Sequence, residues 1–201
     1  MKTFKWTIDK QFDFCMGHRV WTQTLDPKYS IDSICACRHH HSHSGVIKLF
    51  LGSDELINNM VLDFKFLNCY KKLVDEVIDH KFVWDFNDPG HIHELPELYS
   101  ETLDGLDPQY FNTQEYGYKT IKQSVIDEIK SKYSQTKHKN AIQEKLEGFV
   151  FVDFCPTSEN LCKWWLEIAE KMLKDLDVNV VAVEYWETPK SHCRYLNPKF
   201  A

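Results

Sequence analysis

Aromatic and polar side chains alternate along Phe4-Lys5-Trp6-Thr7-Ile8-Asp9-Lys10-Gln11-Phe12-Asp13-Phe14, the pattern of a strand with one buried face, and the run leads directly into Cys15-Met16-Gly17-His18. Residues 21–33 carry Pro27 and several Asp and Ser with no period, which predicts a loop returning the chain to the patch Cys35-Ala36-Cys37-Arg38-His39-His40-His41-Ser42-His43-Ser44. Such a return brings His18 near His41 and His43. The patch runs into Gly45-Val46-Ile47-Lys48-Leu49-Phe50-Leu51, rich in β-branched and aromatic residues, so residues 41–51 read as a strand. Side chains alternate along a strand, which puts His41 and His43 on one face and Ser42 and Ser44 on the other. Gly52-Ser53-Asp54-Glu55 reads as a turn and Met60-Val61-Leu62-Asp63-Phe64 as a second short strand, the two making a hairpin.

The period then changes. Phe66, Leu67, Tyr70, Leu73, Val74, Val77 and Ile78 recur at helical spacing, with Asp63 as N-cap, Lys71, Lys72, Asp75 and Glu76 on the polar face, and an end near Asp79-His80. Residues 88–148 open on Asp88-Pro89-Gly90 and are rich in Tyr, Glu and Lys with sparse aliphatics, the composition of an insertion. Within it Ile121, Val125, Ile126, Ile129 and Tyr133 mark one amphipathic helix on the outside of the main domain, and residues 130–145 read as a solvated helical face. His91 and His93 repeat an alternating spacing but read as surface positions.

The core pattern resumes at Phe149-Val150-Phe151-Val152-Asp153-Phe154. Thr157 or Ser158 can cap the following helix, marked by Leu161, Trp164, Trp165, Ile168, Ala169 and Met172, with Glu159 at its positive end. The amides of that helix start can also bind a ligand oxygen. Residues 178–187 form a β-rich run ending on the carboxylate of Glu187, and a last short strand surrounds Cys193-Arg194-Tyr195. The order strand, strand, helix, insertion, helix, strand, strand predicts an α+β fold with helices on one sheet face, a single domain over 1–201 with an insertion at about 88–148.

Composition removes several function classes. The chain has 201 residues, 43% hydrophobic and 27% charged, with a net charge of -6, which argues against a general nucleic-acid or anionic-membrane surface. No apolar run approaches the roughly 18 residues that span a bilayer, and Met1-Lys2-Thr3-Phe4-Lys5-Trp6 lacks a signal-peptide core, so a cytoplasmic protein is expected. Seven cysteines, an odd number without framework spacing, point to reduced thiols, and Cys15, Cys69, Cys155 and Cys162 read as core residues.

Three imidazoles with one open coordination position are a common catalytic zinc set, and His18, His41 and His43 supply them from two strands, with His39 and His40 left as extra residues. Cys37 offers a thiol, and Asp79-His80 a potential base system. Six segments then fall in one order along the chain: Phe14-Cys15-Met16-Gly17-His18-Arg19-Val20, Cys37-x-x-x-His41-Ser42-His43-Ser44, Val61-Leu62-Asp63-Phe64, Ile78-Asp79-His80, Pro156-Thr157-Ser158-Glu159-Asn160 and Trp186-Glu187-Thr188. In that order they resemble the 6-pyruvoyl-tetrahydropterin synthase superfamily, in particular its 6-carboxytetrahydropterin synthase branch. Ser42 stands where the family has glycine between the two histidines, and residues 88–148 stand in place of a short connection.

The resemblance implies a tunnelling fold, an antiparallel sheet with two helices on one face, here with the long insertion between the helices. It implies a homotrimer or homohexamer with active sites between subunits, and no nucleic-acid or membrane partner. It assigns Zn2+ to His18, His41 and His43, the acid/base thiol to Cys37, its relay to Asp79 and His80, and the pterin anchor to Glu187, with Thr157 and Ser158 as supporting substrate contacts. The implied reaction converts 7,8-dihydroneopterin triphosphate to 6-carboxy-5,6,7,8-tetrahydropterin, acetaldehyde and triphosphate, on the route to 7-deazaguanine nucleosides such as queuosine. Two alternatives stay open: a 6-pyruvoyl-tetrahydropterin synthase acting on the same substrate, and a non-catalytic pterin- or purine-binding homologue. Cys37 precedes His41 with the spacing of the carboxytetrahydropterin enzymes, whereas Cys35 has the spacing of the pyruvoyl enzymes.

Overall fold

The computed structural model describes residues 2–24, 26–28, 35–135 and 139–201. In chain order the elements are β1 (Trp6–His18), β2 (His41–Ser53), α1 (Asn68–Leu73), β3 (Lys81–Asp85), α2 (His91–Glu94), β4 (Tyr99–Ser100), β5 (Gly105–Leu106), β6 (Phe111–Thr113), β7 (Tyr118–Ile121), α3 (Gln123–Lys132), α4 (Lys139–Glu147), β8 (Phe149–Val152), α5 (Ser158–Met172), β9 (Asn179–Thr188) and β10 (Ser191–Leu196). Most of the loop expected at residues 21–33 lies outside the described residues, as does part of the face expected at 130–145. The backbone groups into two compact units, Met1–Met16 with Ser42–Asp79 and Thr157–Ala201, and Gly17–His41 with His80–Pro156.

The first unit holds strands in the order β10-β9-β2-β1. β9 pairs antiparallel with both β2 and β10, with Val46 opposite Trp186 and Arg194 opposite Glu184. Alternation decides which face is covered: Phe12, Phe14 and Met16 of β1 are buried, as are Ile47, Leu49 and Leu51 of β2. Phe12 lies 5.1 Å from Tyr70 and Phe14 5.5 Å from Trp165, so the first and last long helical segments cover one face of these strands. Trp165 also meets Tyr185 edge-on at 4.8 Å, and truncating such a ring costs about 3–5 kcal/mol. Asp63 caps the first helical segment, accepting from the Lys65 N–H at 2.9 Å. That segment runs as a 3-10 turn (Phe64–Leu67), α1 and a π turn (Val74–Ile78).

The hairpin expected after residue 52 does not form. Met60 makes only an isolated bridge to Ile57, and β2 finds its partners in β1 and β9. Cys15 and Cys69, expected in the core, are exposed. Cys15 sits between the buried Phe14 and Met16 and therefore points to the opposite face of β1.

The second unit joins β3 to β8 in parallel, β8 to β7 and β7 to β6 in antiparallel, which makes the sheet pairing mixed rather than purely antiparallel. β3 is short, follows a helix directly and is buried toward its end, so it shows no alternation. Residues 88–148 carry more structure than one outer helix. Leu95, Leu98, Leu106, Phe111, Ile121, Ile126, Ile129 and Leu146 from this segment form a core with Trp84 of β3 and Phe151 of β8. Of the residues expected on the amphipathic helix, Ile126 and Ile129 are buried in α3, Ile121 ends β7, and Tyr133 is exposed past the helix end. His91, expected at the surface, is fully buried, because α2 turns it onto Trp84 at 4.5 Å. No helix among the described residues is long and apolar enough to cross a membrane.

Candidate metal and active site

His18 is the last residue of β1 and is fully buried. The residue before it must be small: a Cβ on Gly17 would stand 2.5 Å from Phe82 Cδ2, so glycine lets this strand end close onto that ring. His41 opens β2, and its ring centre lies 4.5 Å from that of His18. His43 follows on the same face of β2, both histidines half-buried while Ser42 and Ser44 are exposed. One donor atom from each of His18, His41 and His43 lies within 4.8 Å of the other two.

The hydrogen bonds of these rings suit metal ligation. His18 donates from Nδ1 to the Pro156 carbonyl at 2.7 Å, and His41 from Nδ1 to the His39 carbonyl at 2.8 Å. A carbonyl accepts only, so each bond fixes the tautomer with its lone pair on Nε2, the arrangement that commonly orients ligating histidines. The donor set, three neutral imidazoles, fits zinc with a position left for water or substrate. His43 Nε2 also lies 3.5 Å from Glu187 Oε1, near the end of β9.

Cys37 lies in a 3-10 turn (Ala36–Arg38), half-buried, and its carbonyl accepts from the Val20 N–H at 2.8 Å. That bond ties the thiol-bearing turn to the chain just beyond His18. Cys35 precedes the turn and is also half-buried. His39 lends its carbonyl to His41, and the His40 ring packs against Phe82 at 4.8 Å and Trp84 at 5.2 Å, a packing role for a histidine with no assigned ligand part.

Asp79 ends the first helical segment and accepts from the Cys15 N–H at 2.7 Å, which ties it to the strand carrying His18. His80 takes φ +59°, the left-handed turn that reverses the chain into β3. Thr157 accepts from the Asn160 N–H at 3.3 Å as the cap of α5, and Ser158 is the first residue of that helix. The structure therefore gathers the three histidines, with Glu187 beside His43, and anchors Cys37 and Asp79 to neighbouring backbone. Thr157 is engaged by its own helix.

Sequence reasoning missed two buried carboxylates, Asp85 and Asp88, and their partners Trp21, Trp84 and Arg19. The available signal was Asp85-Phe86-Asn87-Asp88-Pro89-Gly90, two acids spaced around a turn.

Three comparisons bear on this chain. A sequence profile for the family described as "6-pyruvoyl tetrahydropterin synthase" matches residues 7–198. The "6-carboxy-5,6,7,8-tetrahydropterin synthase" of Aquifex aeolicus (strain VF5) is 32% identical over 203 residues, covering 95% of this chain and 98% of the relative. A match that complete cannot pass over residues 88–148, so the relative has a counterpart to most of the insertion. A solved structure of an uncharacterized protein from Wolinella succinogenes superposes with a TM-score of 0.84 at 39% identity, covering 96% of this chain and 98% of the other.

Proposed function

Because the chain belongs to the 6-pyruvoyl tetrahydropterin synthase family, we propose that it is a zinc-dependent 6-carboxy-5,6,7,8-tetrahydropterin synthase acting on 7,8-dihydroneopterin triphosphate. The observation that carries the proposal is the convergence of His18, His41 and His43 within 4.8 Å. The named Aquifex aeolicus relative, similar over nearly its whole length, favours the carboxytetrahydropterin branch.

His18, His41 and His43 would hold the zinc. When bound, that ion supplies a Lewis acid that polarises the side-chain oxygens of the substrate and makes an adjacent C–H more acidic. The Cys37 thiolate takes and returns that proton, and Asp79 with His80 holds and relays it. Glu187 accepts two N–H groups of the pterin, a paired contact that orients the ring against the histidine centre. Thr157 and Ser158 support the substrate from the start of α5, the Ser158 hydroxyl being the more available because Thr157 caps the helix.

The products are 6-carboxytetrahydropterin, acetaldehyde and triphosphate, which places the enzyme on the 7-deazaguanine and queuosine route. A thiol catalyst suits the reducing cytoplasm, where this reading locates the protein. Assembly as a trimer or hexamer, with sites between copies, accords with the exposed Trp6, Leu56, Ile57, Met60, Phe64 and Phe66. A second reading, pyruvoyl-tetrahydropterin formation, is favoured by the spacing of Cys35. Zinc-loaded protein incubated with dihydroneopterin triphosphate tests both: acetaldehyde supports the first, triphosphate release without acetaldehyde supports the second, and binding without turnover contradicts both.

A further inference from the structure

β1 ends at His18, so strand pairing does not carry on through the next residues. They are held by other partners. Arg19 Nε stands 3.0 Å from Asp88 Oδ2, the Val20 N–H reaches the Cys37 carbonyl at 2.8 Å, and the Trp21 indole N–H donates to Asp85 Oδ2 at 2.8 Å. Two of these partners sit at the start of the insertion.

Asp85 and Asp88 are 3% and 2% exposed. A carboxylate removed from water persists only where donors or cations surround it. Asp88 accepts from the Trp84 indole N–H and from the Gly90 N–H, both at 2.8 Å, besides facing Arg19. Asp85 accepts from the Asn87 N–H at 2.9 Å besides Trp21, and its carbonyl accepts from His91 Nε2 at 2.7 Å. A Cβ on Gly90 would lie 3.1 Å from Arg19 Nη1, so the glycine makes room for the guanidinium. With Trp84, His91 and Leu95 in the core beneath, this turn is fixed structure rather than a cover.

We propose that Asp88 is a positioning residue for the histidine centre, acting through Arg19, and that residues 85–91 of the insertion's start are a rigid mount for the strand end bearing His18. The inference rests on the reading of His18, His41 and His43 as metal ligands, and under it the first turn of the insertion fixes the direction of one ligand. Fixing a ligand in this way is worth a measurable part of metal affinity, because a histidine held in one orientation loses little freedom when it binds.

Cobalt(II), whose visible spectrum reports ligand geometry, is the probe, titrated into the full chain as wild type, Asp88→Asn, Arg19→Gln and the double variant. Asparagine keeps the shape of the side chain but removes its charge. Each single variant is expected to weaken cobalt binding about tenfold and to change the absorption bands. The double variant is expected to be no weaker than either single, the sign of one shared pathway. A folded Asp88→Asn protein with wild-type affinity and spectrum overturns the proposal, as do losses that multiply in the double variant. If Asp88→Asn does not fold, Arg19→Lys, which keeps the charge without the planar fork, carries the same test with a smaller loss. Amide exchange of residues 17–21 in metal-free protein separates the two readings. Faster exchange in the variant with no cobalt binding in wild type leaves the mount standing and sinks the metal reading. Unchanged exchange sinks the mount.

Discussion

His18 and Pro156 are joined by a 2.7 Å hydrogen bond from the ring Nδ1 to the carbonyl oxygen, inside a fully buried environment. The bond holds one tautomer and one ring orientation before any metal arrives, which is the preorganisation a binding site needs. His41→Ala or His43→Ala, both half-buried, is therefore expected to lower zinc affinity by at least about a hundredfold while leaving the fold intact. Competition with a chromogenic chelator measures the affinity, and a thermal melt checks the fold. Wild-type zinc affinity in both variants would remove the metal reading.

The two cysteines around the 3-10 turn have different expected consequences. Cys37→Ser is expected to reduce kcat by about a hundredfold or more at unchanged zinc content, the size of effect typical of a lost proton-transfer group. Cys35→Ser is expected to stay within about threefold of wild type on the same scale. Steady-state turnover of zinc-saturated protein decides between them, and the reverse ranking transfers the role to Cys35.

Much of the site could be read from spacing because its pieces lie on regular elements. Alternation along one strand put His41 and His43 on a shared face, and the structure keeps them there with Ser42 exposed. The Asp63 cap, α5 and the strand ending near Glu187 also followed from local pattern. What local pattern missed was long-range. β2 pairs with β9 from the far end of the chain, so a false hairpin looked cheaper. β3 pairs in parallel with β8, a contact no short-range periodicity announces. Arg19 and Asp88 read separately as surface charges, and only the fold makes them a buried pair.

His80 separates backbone from side-chain function. Its φ of +59° is disfavoured for a residue with a Cβ, by about 1 kcal/mol, and free for glycine. His80→Gly is expected to keep or slightly raise thermal stability while kcat falls by about tenfold to a hundredfold, as loss of a relay group implies. Melting temperature and turnover on the same sample check this, and full activity in His80→Gly would remove the imidazole from the relay.

Glu187 lies beside His43 at 3.5 Å, close enough for one ligand to meet both. Glu187→Gln keeps the shape but loses the charge, and a charge-assisted hydrogen bond is worth about 1.5–3 kcal/mol. We expect kcat/KM to fall by about tenfold to a hundredfold, mainly through KM if the contact acts on bound substrate and transition state alike. An unchanged KM and kcat would leave Glu187 as a strand-end carboxylate.

Burial pushes the His91 imidazole below its usual range, outweighing the raising effect of its bond to the Asp85 carbonyl and of the Asp88 and Asp85 charges. The unfolded chain then binds a proton more readily than the folded one. The stability His91 contributes as a neutral ring is present above the unfolded value of about 6.5 and is lost as pH falls from there toward the depressed folded value. In metal-free protein, urea unfolding at pH 7.5 and 5.5 should show a smaller acid loss for His91→Gln, whose amide can still donate to Asp85. Equal losses in the two proteins would contradict the assignment.

Product stoichiometry decides whether this chain is a zinc-dependent carboxytetrahydropterin synthase. Zinc-loaded protein given 7,8-dihydroneopterin triphosphate should release acetaldehyde and triphosphate in equal amounts, with 6-carboxytetrahydropterin remaining, and chelation of the zinc should stop all three together. Triphosphate appearing without acetaldehyde, or turnover that persists after the zinc is removed, would contradict it.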